Sequence, residues 1–148
     1  MTDEVRRVFK LHRFESAPFF VGGHWRFTDF AYNGENLSQH FPERIAQRLA
    51  APEAVDAAAN LQVTEWASCL RNALAHGGVI YVDGDGRQSH GQKAEGFIFV
   101  SAKYPDRDTR QPPESLKILR ISEVDFQSFL RRWVDWLQSS GLSQALAA

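Results

Sequence analysis

Apolar residues recur at the three- and four-residue spacing of a helix in several parts of the chain. The pattern predicts a short helix within residues 3–14 and a second helix that begins or kinks at Pro42. A third helix is expected to open at Pro52 and to continue to His76. At about 1.5 Å per residue this helix would be roughly 37 Å long, with one continuous apolar stripe.

The spacing changes to that of β-strands after the third helix. Two runs rich in β-branched and aromatic residues, at 79–82 and 97–100, are separated by a polar segment that begins Asp-Gly-Asp-Gly. They predict a β-hairpin with a long tip, followed by a possible third strand over residues 116–121. Ser122 then has the pattern of an N-terminal cap for a last helix, which Gly141 stops.

Seven aromatic residues crowd the segment between residues 14 and 32, around the pair Gly22-Gly23. They are Phe14, Phe19, Phe20, Trp25, Phe27, Phe30 and Tyr32. Such a segment either packs over the core around a bend or offers its rings as a platform for stacked bases. Stacking platforms are usually flanked by cations, and only Arg26 lies among these rings, so packing is favoured.

Composition narrows the class of protein. A length of 148 residues suits one core, and we expect a single domain over residues 1–148. A net charge of -1 gives no overall basic field, so any contact with nucleic acid has to come from a local site. The single cysteine allows no internal disulfide, and neither a signal peptide nor a membrane-length apolar run is present. We therefore expect a cytoplasmic protein.

Three candidate chemistries fail on spacing. Residues 83–86 suggest a calcium loop, but Arg87 and Ala94 stand where ligands are needed, so a hairpin turn is expected. The histidines, at positions 12, 24, 40, 76 and 90, form no pair with the spacing of a helical metal site, and no metal or cofactor is expected. Cys69 and His76 lie about 10 Å apart along one helix, too far for a catalytic dyad. We expect Cys69 to be a small, partly buried residue.

Arg71, Asn72 and His76 form the remaining candidate site, directly before Gly77-Gly78. Spacing alone is weak support, because about 0.4 Arg-x4-His matches are expected by chance from 13 Arg and five His. Arg7 and His12 have the same spacing. Only the later pair has a polar residue after its arginine and a glycine stop after its histidine.

A helical wheel places the apolar side chains Trp66, Leu70, Ala73 and Leu74 opposite the three candidate residues. Arg71 and His76 are about 140° apart, so within one molecule they flank this polar face without touching. Ser68 and Ala75 between them are small, which would let the same helix of a second copy approach closely. Across a two-fold axis, each histidine would then meet the arginine of the other chain.

The segment Leu70-Arg71-Asn72-Ala73-Leu74-Ala75-His76-Gly77 resembles the signature of the HEPN superfamily, an Arg-x4–6-His motif with a polar residue after the arginine. Residues 99–103, 121–126 and 133–136 resemble a HEPN subgroup that has a hairpin after the motif. The likeness covers roughly residues 50–138, and the helical and aromatic segment 1–50 is not matched. It implies a mainly α fold, a helical bundle with a small β-hairpin or β-sheet inserted between the motif helix and the C-terminal helix.

The resemblance also implies an activity. HEPN proteins of this kind are metal-independent endoribonucleases with a toxin or defence role, active as homodimers through the motif helix. In that role His76 would transfer protons, Arg71 would hold the phosphate, and Asn72 would hold a phosphate oxygen or orient His76. RNA would be the substrate, and a cognate antitoxin protein a possible partner.

Two non-enzymatic interpretations stay open. In the first, a HEPN dimer binds RNA, a nucleotide or a protein partner without cutting. In the second, the motif only ends a helix in an interaction domain, with His76 donating to terminal carbonyls and Arg71 paired with Glu65 or Asp83.

Overall fold

A four-stranded antiparallel sheet with helices on both faces forms the centre of the computed structural model. The structure describes residues 2–32, 34, 37, 41–89, 91, 93–105, 110–142 and 146. Within them the helices are α1 (Asp3–Phe9), α2 (Glu43–Ala50), α3 (Pro52–Ala59), α4 (Val63–His76) and α5 (Glu123–Ser139). The strands are β1 (Arg26–Ala31), β2 (Val79–Val82), β3 (Gly96–Lys103) and β4 (Ser115–Ser122), and a short 3-10 helix covers Phe14–Ser16.

The strands lie in the order β1-β4-β3-β2, and each neighbouring pair is antiparallel. Along β3 and β4 the pairing runs from Gly96 opposite Ser122 to Lys103 opposite Ser115. The N-terminal strand β1 pairs with β4, across some ninety positions of sequence, so the sheet joins both ends of the chain.

Alternate residues of the strands belong to two separate hydrophobic clusters. Phe99, Leu119 and Ile121 pack with residues of α1, α4 and α5 on one face of the sheet. Ile98 and Ile118 pack with residues of α2 on the other face. Because both faces of the central strands are covered, these strands are among the most buried parts of the molecule.

The fold is mixed α/β, and the predicted mainly α helical bundle is wrong. The sheet is not a small insertion beside a bundle. One of its strands, β1, lies within residues 1–50, outside the stretch that resembles HEPN proteins. Phe27 of β1 joins one cluster and Phe30 joins the other. Each face of β1 carries one buried phenylalanine beside exposed or partly exposed residues, so the strand shows no clean alternation that would separate it from the surrounding aromatic residues.

The single long helix predicted from Pro52 to His76 is also wrong, since α3 and α4 are separate. Leu61 turns inward at the break and is buried. Its carbonyl oxygen accepts a hydrogen bond from the Phe14 N–H at 2.6 Å, and the Val63 N–H donates to the Leu11 carbonyl oxygen at 3.3 Å. In a continuous helix, the Leu61 carbonyl oxygen and the Val63 N–H would bond to other residues of the same helix. Here both groups bond to the N-terminal segment, so the helix is interrupted.

The other predicted elements are confirmed in outline. The short N-terminal helix ends at Phe9, and the second helix begins directly after Pro42. The hairpin and the third strand are both present. Ser122 caps α5 by accepting a hydrogen bond from the Asp125 N–H, and Gly141 beyond its end has a φ of 79°. His40, His90 and residues 106–109 lie outside the described residues.

The aromatic segment packs into the core, as predicted. Phe14, Phe19 and Trp25 are fully buried around Trp66 of α4. The Phe14 and Phe19 rings stack on Trp66 with centroid distances of 4.4 and 5.2 Å. These contacts pack α4 against the aromatic segment. No helix in the described part of the chain is long and apolar enough to cross a membrane.

Candidate functional site

The C-terminal end of α4 is fixed on the sheet by two glycines. Gly77 is left-handed, with a φ of 72°, and the Gly78 N–H donates to the Ala73 carbonyl oxygen at 2.7 Å, the long bond of a Schellman motif. The Gly78 carbonyl oxygen accepts from the Val100 N–H at 2.7 Å. A Cβ atom on Gly78 would overlap the Val100 carbonyl oxygen. The predicted glycine stop is confirmed, and it also brings the helix end against β3.

Asn72 connects Arg71 to the sheet. Its amide nitrogen donates to the Ser101 Oγ at 3.3 Å, and its amide oxygen accepts from the Arg71 Nη1 at 3.4 Å. Ser101 is buried in β3, Asn72 is half-buried and Arg71 is exposed. The three side chains form a chain of contacts from the core to solvent. Asn72 therefore links Arg71 to β3, and it makes no hydrogen bond to His76 among the described residues.

The ion pairs that would neutralise Arg71 are absent from the described part of the chain. Glu65 pairs with Lys117 at 3.5 Å. The Asp83 carboxylate instead accepts the backbone N–H groups of Asp85 and Arg87, at 2.9 and 3.0 Å, which confirms the predicted turn. Arg71 is thus an exposed cation whose only described polar partner is an uncharged amide.

His76 is exposed on the last turn of α4. Its ring makes no hydrogen bond or ion pair within the described residues, and the N–H groups of Gly77 and Gly78 donate to the carbonyl oxygen of Ala73. The suggested role of His76 in donating to the terminal carbonyls is therefore wrong for this structure. The imidazole is left free to meet a molecule from outside.

An apolar groove lies on one side of α4. Its volume is about 820 Å³, and α4 and α5 form its walls. Leu70, Arg71 and Leu74 line it from α4, and Leu130 and Trp133 from α5. Leu74 is 58% exposed and Leu130 is 43% exposed, so the apolar stripe predicted for α4 is only partly covered by the core. Arg71 lies at the edge of this open apolar surface.

A polar cleft of about 480 Å³ lies on the other side of α4, against β3 and β4. Asn72, Ser101 and Lys117 are among its lining residues, and Cys69 lies at its base. Cys69 is 2% exposed, more deeply buried than predicted, and burial raises its pKa to about 12 although the charge of Lys117 acts to lower it. The thiol is therefore not a nucleophile at neutral pH.

Sequence reasoning missed Ser101 and Lys117. Both reach α4 only through strand pairing, which brings residues 29 and 52 positions apart into contact. One signal was available for Ser101, a hydroxyl residue directly after the strongly apolar run 97–100. No such signal marks Lys117, which follows a loop and has a polar neighbour two positions before it.

Comparisons with protein-family models, curated proteins and solved structures gave no match to the chain. Among the described residues, no three His, Cys, Asp or Glu side chains are grouped so that they could hold a metal ion. Function is therefore inferred from Arg71, Asn72 and His76 and from the two concave surfaces beside them.

Proposed function

We propose that the chain is a HEPN-type endoribonuclease that needs no metal ion and acts as a homodimer. The observation that supports this most is the state of Arg71, an exposed cation that an amide positions and no described carboxylate neutralises. An exposed guanidinium group without a carboxylate partner can make bidentate contacts to a phosphate. His76 lies on the same helix end, exposed and without a described partner.

The proposed reaction needs two proton transfers and one stabilised anion. The 2′-oxygen of a ribose attacks the adjacent phosphorus atom, and the bond from phosphorus to the 5′-oxygen breaks. One imidazole removes the proton from the 2′-hydroxyl group, and a second gives a proton to the leaving 5′-oxygen. Imidazole can do both because it gains and loses its proton near neutral pH. Arg71 binds the phosphate oxygens, on which negative charge increases in the transition state.

A second copy of the chain supplies the second imidazole. Arg71 and His76 are separated on one helix by about 7.5 Å along its axis and about 140° around it, so one chain carries half of the site. Leu74 and Leu130 offer exposed apolar area next to Arg71, and Ala67, Ser68 and Ala75 leave room for a close approach. Packing the Ser68 and Ala75 face of α4 against the same face of another copy would bring both His76 side chains to one phosphate, with Leu74 at the margin of the contact.

The biological role in this proposal is that of a toxin or defence nuclease, restrained by a cognate antitoxin. RNA is the substrate. This part rests on the likeness of residues 70–77 to the HEPN motif.

The test is RNA cleavage by the purified protein in EDTA. We expect cleavage by the wild type and a rate lower by about 10²–10⁴ for His76→Ala, because one acid–base group is lost. His12→Ala is a matched control, since His12 is exposed and follows Arg7 at the same spacing. Equal cleavage by wild type and His76→Ala, or none by the wild type, contradicts the proposal. RNA binding without cleavage would favour the non-catalytic dimer.

A further inference from the structure

The polar cleft beside α4 is rich in hydrogen-bond donors. Two of the four lysines of the chain, Lys103 and Lys117, line it together with hydroxyl and amide groups. These further groups are Thr64 and Ser68 of α4, Asn72, Ser101 and the phenol of Tyr104. One carboxylate, that of Glu65, is present in the lining. Two ammonium groups against one carboxylate leave the cleft with a positive balance in a protein whose net charge is -1.

The two lysines differ in burial and in ion pairing. Lys117, on β4, is half-buried and pairs with Glu65 at 3.5 Å. Lys103, at the end of β3, is exposed and has no ion pair or hydrogen bond among the described residues. The pair with Glu65 is exposed enough to exchange partners at little cost. An anion in the cleft would therefore meet one free ammonium group and a second that can turn towards it.

The cleft opens next to Arg71. Asn72 lines the cleft and accepts the hydrogen bond of Arg71, which lines the groove on the other side of α4. Thr64 and Ser68 line both concave surfaces. The cleft and the Arg71 side chain therefore lie on either side of α4, and Asn72 contacts both of them.

We propose that this cleft is a second phosphate-binding subsite, which holds another phosphate of the RNA strand that Arg71 binds. Lys103 and Lys117 supply the charge, and Ser68 and Ser101 line the cleft beside them. Tyr104 also lines the cleft and offers an aromatic ring on which the attached base could stack. The identity of the strand rests on the proposed function. The subsite binds substrate and does not touch the reacting atoms.

The test is binding of a 2′-O-methyl RNA oligonucleotide, which is not cleaved, over a series of salt concentrations. Lys103→Gln/Lys117→Gln removes two charges from the cleft, and Lys10→Gln/Lys93→Gln removes the same charge elsewhere. We expect the cleft variant to bind about tenfold more weakly, with a salt slope lower by about 0.7, because one phosphate contact on a single strand contributes about that much. The control variant should match the wild type.

The binding test decides on the subsite independently of whether the protein cleaves RNA. Weaker binding by the cleft variant supports the subsite even if the wild type cleaves nothing. Unchanged binding and salt slope in the cleft variant overturn the subsite even if His76-dependent cleavage is found. Because Lys117 is half-buried, the thermal unfolding of the variant is followed by circular dichroism, and Lys103→Gln alone, at an exposed position, should show part of the effect.

A free nucleotide has the same chemistry as one unit of the strand. Adenosine monophosphate is therefore titrated into the preformed oligonucleotide complex. Competition that is lost in the cleft variant supports the subsite. Tight binding of the monophosphate in the cleft without displacement of the oligonucleotide would show that the strand does not occupy the cleft, and would overturn the proposal.

Discussion

At the scale of single residues, the contact between Asn72 and Ser101 decides how the exposed arginine is held. Ser101 is one of the few buried polar residues in the described part of the chain, and its hydroxyl accepts a hydrogen bond from the half-buried Asn72. Asn72 in turn accepts a hydrogen bond from Arg71. The order of Arg71 thus depends on a side chain of β3 that is remote in sequence.

Asn72→Ala tests this dependence. The variant loses both contacts, so Arg71 samples more conformations and RNA cleavage should slow by about tenfold or more. The free energy of unfolding should fall by only about 1 kcal/mol, the usual net value of such hydrogen bonds. Turnover and urea denaturation are measured together. A loss of activity that only mirrors a loss of folded protein contradicts a positioning role.

Gly78→Ala tests the close approach of the helix end to β3. The added Cβ atom would meet the Val100 carbonyl oxygen, so α4 or β3 has to move. We expect a loss of about 2 kcal/mol in the free energy of unfolding. Gly22→Ala is the matched control, because nothing lies within 4 Å of a Cβ there, and its effect should stay within about 0.5 kcal/mol. Equal effects in the two variants would show that the contact is unimportant.

Cys69 provides a test of burial beneath the polar cleft. With its pKa raised to about 12 and 2% of its surface exposed, the thiol should resist iodoacetamide at pH 8 in the native protein. Labelling should be rapid after unfolding in urea, where the side chain regains an ordinary pKa. Because deprotonation is suppressed until the pH approaches the raised pKa, native labelling should increase only in strongly alkaline buffer. Rapid native labelling at pH 8 contradicts the described packing.

At the scale of elements, the sequence predicted α4, the hairpin, β4 and α5, because each has a one-sided pattern or a clear end signal. Gly77 and Ser122 are examples of such signals. It did not predict the break at residues 60–62, which has no proline or glycine. The break depends on two backbone hydrogen bonds, from the Val63 N–H to the Leu11 carbonyl oxygen and from the Phe14 N–H to the Leu61 carbonyl oxygen. It also missed β1, whose two buried residues, Phe27 and Phe30, lie on opposite faces and so give no one-sided pattern.

The proposed dimer is tested on the apolar groove. Leu74→Glu places a charge on a side chain that is 58% exposed, so the monomer should keep its stability while association through α4 is lost. Sedimentation should then show a monomer, and RNA cleavage should fall with it. Val124→Glu is the control, since Val124 is an exposed apolar residue of α5 that does not line the groove. A Leu74→Glu protein that stays dimeric and active contradicts this interface.

At the scale of the whole molecule, the sheet and the aromatic core form a frame that supports α4 and leaves its C-terminal end exposed. The motif residues were predictable, because a polar residue after Arg71 and a glycine stop after His76 can be read locally. The frame was not, because it depends on β1 pairing with β4 and on Phe14 and Phe19 packing around Trp66. Those contacts join distant parts of the sequence, and local patterns do not encode them.

The central claim is that one site takes one His76 from each of two chains. It is tested most directly by refolding wild type with His76→Ala at equal amounts and constant total protein, and measuring RNA cleavage in EDTA. If both histidines serve one phosphate, only dimers with two wild-type chains are active, and the rate should fall to about one quarter of the wild-type rate. A rate of about one half would show that each chain works with its own His76, and would contradict the composite site.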